Sequence, residues 1–536
     1  MIPISKQEAA ATDPMLQVPT SNSVNVVWFT SFSGTNHHVE YGEGFRQKAD
    51  CSDKKLSHIF AGGASAPIYR HEATLSLSGR TRYRAVSCLS EEERVVSGVF
   101  SCKVSPSPGT PVRILLTSDH QCKPMVPANL QKVAETIPEI DAIFYGGDCV
   151  NNPDSLTDWF GPSSGLSEDC SFFSTFQGRG AITLGGTLYK GAPLLQTAPI
   201  FCAMGNHEIM GRRSDKPPKE QAQDAFPREL AAQQYSRLFP DQTAPAPWLE
   251  EHSFNAASFK DIFSFPESPQ PLDSPYYATT FGDTRLIVLC ATRIGRDAHL
   301  GIKGKYSEDP ADFSDSSRWG FGEFVVEPIE KGSRQYQWLE KELQSEAFQA
   351  AKYRIVMLHN PIHTLGENQT PAFTPPIQHV ERDAAGAVIA VSYEYPKQDD
   401  ILINDVDPLF AKYGVQLVFG AHSHIWNRFT SPAGVHYLES SNVGNSYGAI
   451  HEGAQVFSSQ CDTKGRPFQE PNGLAPIVPT IAPLKSSDGK PLPFIASNEI
   501  TVFSVFDTGR GCIDSYYFDT RGNGPVVLFD SFSLTP

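Results

Sequence analysis

The chain has 536 residues, 40% apolar and 19% charged, enough for two or three domains with ample cores. A formal net charge of −16 argues against non-specific attraction to a nucleic-acid duplex or an anionic membrane, while leaving room for a local cationic site. No run approaches the roughly 18 to 20 apolar residues of a membrane span. The start, MIPISKQEAAATDPM, lacks the basic and apolar segments of a secretory leader, so the expectation is an intracellular protein or one whose leader has been removed. Gly 41 and Pro 42 point to long loops and many turns.

Residues 15 to 106 read as all-β. SVNVVWFTS (23–31), HHVEYG (37–42), HEATLSL (71–77), TRYRAVSC (81–88) and VVSGVFSCKV (95–104) are short, rich in β-branched and aromatic residues, and separated by turn residues. They predict a small sandwich. Cys88 and Cys102 flank an expected hairpin and are a candidate disulfide from spacing alone. SPSPGTP (105–111) is a linker by composition.

From 112 onward the rhythm changes. Buried strands are expected at 113–119, 142–148, 199–206, 284–292, 353–361 and 415–424. Helical spacing occurs at 127–137, 333–348 and 404–413. Such alternation predicts an α/β domain with parallel or mixed sheet over 112–536. The tail, 500–534, reads as antiparallel hairpins that extend the sheet. Long Pro-, Gly- and Ser-rich stretches (151–198, 209–275, 295–332, 364–400, 445–497) read as loops. One glycosylation-type triplet, Asn368-Gln369-Thr370, falls in them.

Five of the expected strands end in side chains of metal-ligand type. These endings are Asp119-His120-Gln121, Gly147-Asp148, Asn206-His207-Glu208, His359, and His422-Ser423-His424. Ligands of open α/β sheets bind outside the carboxyl ends of strands, so the endings should converge. Asp119 alone reads as an Asx-turn or cap, and His359 alone as a turn histidine. His-x-His on an extended segment is a moderately specific metal signal. Two carboxylates, two amides and three imidazoles suit Mn, Fe or Zn better than Ca or Mg. Seven ligands are too many for one transition ion and right for two that share a carboxylate. Cys122 and Cys149, beside these positions, read as buried thiols. His120, Asn151, Asn152, His363 and Arg428 lie next to the motifs and read as scaffold first and substrate-facing second.

The order D-x-Q, GD, GNHE, H and H-x-H resembles the calcineurin-like metallophosphoesterases, whose pattern is D-x-H, GD, GNH[DE], H and GH-x-H. QYQWLEKEL, HIWNRF and HEATLSLSGRTRYRAV are similar to the purple acid phosphatase branch, including its fibronectin type III-like module before the catalytic domain. The resemblance implies a catalytic β-sandwich flanked by helices, preceded by an all-β sandwich. It implies one metal held by Asp119, Gln121, Asp148 and His424, and a second held by Asp148, Asn206, His359 and His422. It also implies that His207 donates to the substrate or leaving group, with Glu208 behind it as orienter. Three places depart from the pattern. Gln121 replaces a His, Asn151 stands where purple enzymes carry the colour-giving Tyr, and Ala421 is inserted in GAHSH. The centre therefore reads as dinuclear and non-purple.

The implied chemistry is hydrolysis of a small phosphate ester, with a hydroxide bridging two divalent ions (Mn, Zn or Fe) as nucleophile. A phosphomonoesterase is the first reading. A phosphodiesterase acting on nucleotide or lipid head-group diesters is the second. A binding protein that uses the fold as a scaffold is the third.

Overall fold

The Ser23–Thr30 strand shows how the amino-terminal region is built. Val24, Val26 and Trp28 point one way, into a core shared with Val39, Tyr83, Ala85 and Cys102. Val27 and Phe29 point the other way and are buried too. In this computed structural model, which describes residues 12–61, 64–161, 168–210, 228–266, 276–295, 304–366, 372–451, 454–456, 473–522 and 524–534, the region forms two sheets. One joins Met15–Gln17, Ser23–Thr30, Tyr69–Ser76 and Ser52–Lys55. The other joins Arg94–Val96, Thr81–Cys88, His38–Tyr41 and Gln47–Asp50, with Phe100–Cys102 also on Thr81–Cys88. The expected strand 95–104 is therefore split in two. Cys88 and Cys102 are both free thiols. The register explains why: Cys88 pairs with Arg94 and Cys102 with Thr81, at opposite ends of one strand. Seven residues at about 3.4 Å each put their backbones far beyond disulfide reach.

The second face of Ser23–Thr30 is covered by the rest of the chain. Phe29 lies 5.2 Å from the rings of both Phe160 and Phe173. Tyr83 donates its hydroxyl to the Gln196 carbonyl at 2.8 Å. Lys54 and His58 reach Asp261 at 2.5 and 3.0 Å. Asp261 belongs to the helix Ala257–Ile262.

The larger region is a sandwich of two mixed sheets with helices outside. The six-stranded sheet runs Ile200–Cys202, Ala142–Tyr145, Arg113–Thr117, Ile500–Asp507, Cys512–Asp519, Val527–Ser533. Its first three strands are parallel and the carboxyl-terminal meander is antiparallel. The seven-stranded sheet runs Tyr277–Phe281, Thr284–Val288, Tyr353–Met357, Leu417–Gly420, His436–Ser440, Trp426–Thr430, Phe494–Ile495. Strand periodicity sets the layers. Ile114 and Leu116 face Ile355, Met357, Leu417 and Phe419 across the sandwich. Leu115 and Ile143 face outward onto Leu130 and Val133 of the helix Val126–Thr136. On the far side Val356 and Val418 meet Tyr336, Leu339 and Leu343 of the helix Arg334–Leu343.

That helix is shorter than the spacing predicts. Ser345 accepts from Phe348 N at 3.1 Å and starts a separate helix, Glu346–Ala350. Near the expected 404–413 helix a π-helical turn, Leu402–Val406, precedes Asp407–Tyr413, which ends at Gly414 with φ 70°. The stretches expected as loops contain a hairpin, Ile377–Arg382 with Val388–Glu394, and several helices, among them Phe172–Phe176 and Arg228–Leu238. The Asn368-Gln369-Thr370 triplet lies outside the described residues. No described helix is long and apolar enough to cross a membrane.

Candidate metal centre

All five motifs follow strands that run parallel to a neighbour. Asp119, Asp148 and Asn206 lie beyond Arg113–Thr117, Ala142–Tyr145 and Ile200–Cys202 of the six-stranded sheet. His359 and His422-Ser423-His424 lie beyond Tyr353–Met357 and Leu417–Gly420 of the seven-stranded sheet. The site thus sits where the carboxyl ends of two facing sheets meet. The backbone there is unusual. Eleven described non-glycine residues have positive φ, and five of them are Asp119, Gln121, Asp148, His422 and His424. Left-handed backbone costs energy for such residues and concentrates at functional sites. Gly205 has to be glycine: a Cβ there would stand 2.2 Å from Asp148 Oδ1.

Two clusters of donor atoms result. Asp148, His359 and His422 form one, and Asp119, Asp148 and His424 form the other. Within each, the donor atoms lie within 4.8 Å of one another, and Asp148 belongs to both. All are buried. Hydrogen-bond logic fixes which ring nitrogens carry protons. His359 Nδ1 donates to the Gly146 carbonyl at 2.9 Å. Its Nε2 then faces Asn206 Oδ1 at 3.0 Å, His422 Nδ1 at 3.2 Å and Asp148 Oδ1 at 3.5 Å. His424 Nδ1 donates to the Asn445 carbonyl at 2.6 Å. Its Nε2 is buried without a hydrogen-bond partner among the described residues, 3.3 Å from Asp119 Oδ1. Acceptors gathered around one point are what a cation requires. Burial opposes charge on His359, yet Asp148 and Asp119 raise its pKa to about 10. Burial likewise opposes ionisation of Asp148, and His359, His207 and His422 overcome it and hold the carboxylate far below its usual range.

The sequence of residues 112–426 matches the family model of the calcineurin-like phosphoesterases. The chain belongs to that family. No curated protein matches the chain in sequence. Among solved structures, a purple acid phosphatase isolated from yellow lupin (Lupinus luteus) seeds superimposes with a TM-score of 0.56 at 15% identity, covering 97% of this chain and 73% of the other. PhoD aligns with a TM-score of 0.48 at 13% identity, covering 98% and 90%. The family and the two clusters make this phosphoesterase a hydrolytic enzyme with the side chains of a dinuclear divalent metal centre.

One sequence expectation needs correction in this phosphoesterase. Glu208 does not orient His207. Its carboxylate accepts the backbone N–H groups of Asp148, Cys149 and Gly205 at 2.8, 2.7 and 2.7 Å. The 3-10 turn Asn206–Glu208 carries it back to the backbone of the Asp148 loop. His207 is held instead by Asn151, whose carbonyl accepts from Nδ1 at 2.7 Å. Gln121 reaches Asp148 with its nitrogen, at 2.7 Å, while its oxygen accepts from Asn445. It therefore presents a donor to the cluster, and exchanging the two ends of the amide would present the oxygen.

The neighbours of the motifs are scaffold. His120 stacks on Phe176 at 5.1 Å and bonds Thr117, and burial lowers its pKa to about 3. His363 packs on Tyr437 at 4.4 Å. Arg428 pairs with buried Asp530 at 2.6 Å. Asn152 donates to Asp158 at 2.9 Å. Cys149 lies in the core, and Cys122 donates to the Asp158 carbonyl at 3.3 Å. Sequence reasoning missed Glu439, whose buried carboxylate accepts from Ser423 N at 2.9 Å, Thr364 Oγ1 at 2.6 Å and Asn427 Nδ2 at 3.0 Å. It holds the turn that carries both imidazoles, and burial pushes its pKa up to about 8. A lone Glu in the apolar run VHYLESS was the available signal. Lys123 and Lys305 were missed too; their charges act on Asp148 and His422. Lys123 lies in a loop and Lys305 in a short 3-10 turn, where no periodicity marks them.

Proposed function

We propose that this phosphoesterase is a phosphomonoesterase with two divalent cations that share Asp148. Asp119, Gln121, Asp148 and His424 would hold one, and Asp148, Asn206, His359 and His422 the other. The observation that carries this reading is the presence of Asp148 in both donor clusters. The mixed oxygen and nitrogen donors suit Mn, Zn or Fe. Bound together, two such cations supply Lewis acidity and a water of lowered pKa.

The chain's own residues supply position and protons. The Asn151 carbonyl fixes the His207 ring through Nδ1, which leaves Nε2 to meet the departing ester oxygen. Glu208 holds the backbone of Asp148, and Asp148 in turn accepts from His207 N at 2.8 Å. The two motifs are thereby locked in one register. Two cations (+4) against Asp119 and Asp148 (−2) leave +2 at the centre before any substrate arrives. Lys123 and Lys305 add cationic charge nearby. Such a field favours a dianionic monoester over a monoanionic diester. After reconstitution with Mn or Zn, nitrophenyl phosphate should be hydrolysed faster than bis-nitrophenyl phosphate. The reverse order would replace this reading with a phosphodiesterase. Full metal loading with no turnover of either ester would favour a binding protein on the same scaffold.

A further inference from the structure

We infer that the amino-terminal sandwich holds a separate site for one zinc-like divalent cation, formed by Cys51, Asp53 and His71 beside His37. The chain changes sheets at this point. Gln47–Asp50 pairs with His38–Tyr41 in one sheet, and Ser52–Lys55 pairs with Tyr69–Ser76 in the other. Cys51 is the residue between them. Cys51 and Asp53 are two apart on extended chain and so share a side. Asp53 is directly opposite His71 in the register. The three donor atoms lie within 4.8 Å of one another. Cys51 Sγ is 3.0 Å from Asp53 Oδ1, and His71 Nδ1 is 2.6 Å from the same oxygen.

Counting protons shows what these groups lack. The Thr30 hydroxyl has one proton, and it goes to the Phe32 carbonyl at 2.6 Å. Thr30 must then accept from His71 Nε2–H at 2.8 Å. With its proton on Nε2, His71 Nδ1 is a bare lone pair. Asp53 Oδ1, the atom it faces, is also an acceptor. Cys51 Sγ has one proton for two acceptors, Asp53 Oδ1 at 3.0 Å and the His37 carbonyl at 3.1 Å. His37 repeats the pattern. Its Nε2–H donates to the Ser33 carbonyl at 2.8 Å, and its buried Nδ1 has no hydrogen-bond partner among the described residues. The His37 and His71 rings stack at 4.0 Å. In metal sites an imidazole typically donates its second N–H to an oxygen in this way.

Thiolate, carboxylate and imidazole are the donor set of zinc. One divalent ion with Cys51 thiolate and Asp53 carboxylate is neutral overall (+2 −1 −1), which suits a half-buried place. A tetrahedral ion with donors at about 2.0–2.3 Å keeps them roughly 3.3–3.7 Å apart. Asp53, whose side chain is 47% exposed, is free to draw back the necessary fraction of its length. A water completes the four. The Cys51 thiol, pushed well up by burial and by Asp53, gives up its proton on binding. The ion would pin the strand crossing that ties the two sheets together.

The test uses the full-length protein, stripped with a chelator and reloaded with cobalt(II). The wild type should show a near-ultraviolet thiolate-to-cobalt band. Cys51→Ala should bind one equivalent fewer per chain, lose the band, and hydrolyse nitrophenyl phosphate at the wild-type rate. Asp53→Ala, at a half-exposed position, should also bind one equivalent fewer, and it serves as the second variant if Cys51→Ala folds poorly. The ions of the phosphoesterase centre are common to all three proteins and cancel in the difference. Equal metal content in the wild type and both variants, or a band that survives Cys51→Ala, would overturn the site.

Discussion

Removing the His207 ring separates two roles that adjacent residues have at the centre. His207→Ala deletes the imidazole and its 2.7 Å bond to the Asn151 carbonyl. The backbone N–H of residue 207 still donates to Asp148 Oδ1, because that bond does not involve the side chain. Metal content should therefore stay near wild type. A positioned acid contributes about 10²–10⁴ in rate, or roughly 2.7–5.4 kcal/mol at 1.36 kcal/mol per tenfold. That loss should appear in kcat for alkyl phosphates, whose leaving groups need a proton. It should shrink for nitrophenyl phosphate, whose leaving group departs unaided. Asn206→Ala instead removes the oxygen 3.0 Å from His359 Nε2. It should deplete one of two cations and slow both substrates alike. The assay is elemental analysis of each variant with rates on both ester types. A His207→Ala protein that loses metal, or that slows equally on the two esters, would refute the division of roles.

Asp148→Asn should lower occupancy of both cations and abolish turnover, whereas Gln121→Ala should be milder, since it removes a neutral amide that now turns its nitrogen to Asp148; equal metal loss in the two variants would contradict the shared-carboxylate assignment. The reconstituted enzyme should be colourless, because residue 151 is Asn and the nearby Tyr145 is buried with its pKa raised; a visible charge-transfer band in the isolated protein would refute this. Asp261→Ala should cost about 2 kcal/mol in denaturant unfolding, the scale of hydrogen bonds to a charged group, because it releases Lys54 and His58 of the sandwich. Burial opposes the Asp261 charge, but His58 and Lys54 hold its folded pKa below the usual value. The contribution is thus full above the unfolded pKa near about 3.9 and lost as pH falls through the folded one, so the variant's deficit should vanish at the acid end; a deficit that persists there would assign the cost to packing.

The order of ligand types along the chain was legible because each follows a strand whose apolar run stops at a polar residue. PIFCAMGNHE and VQLVFGAHSH carry that signal without any partner. The alternation of Ile114, Leu115 and Leu116 likewise determined that both faces of the strand would be buried. Local sequence does not say which sheet a strand joins. Parallel neighbours come from distant segments, so pairing is decided by packing of the whole chain. The five endings were expected to converge, and they do so from two sheets that meet. Side-chain direction within a turn was also beyond the sequence. Asn206, His207 and Glu208 are consecutive, yet the 3-10 turn sends the amide to His359, the imidazole to Asn151 and the carboxylate to three backbone N–H groups. The meeting of Cys51 and Asp53 with His71 across strands needed the register of a strand pair, which composition does not encode. Sequence determined which donors the chain possesses; tertiary packing decided which of them share a point in space, because only the assembled sheets bring residues hundreds of positions apart within reach of one ion.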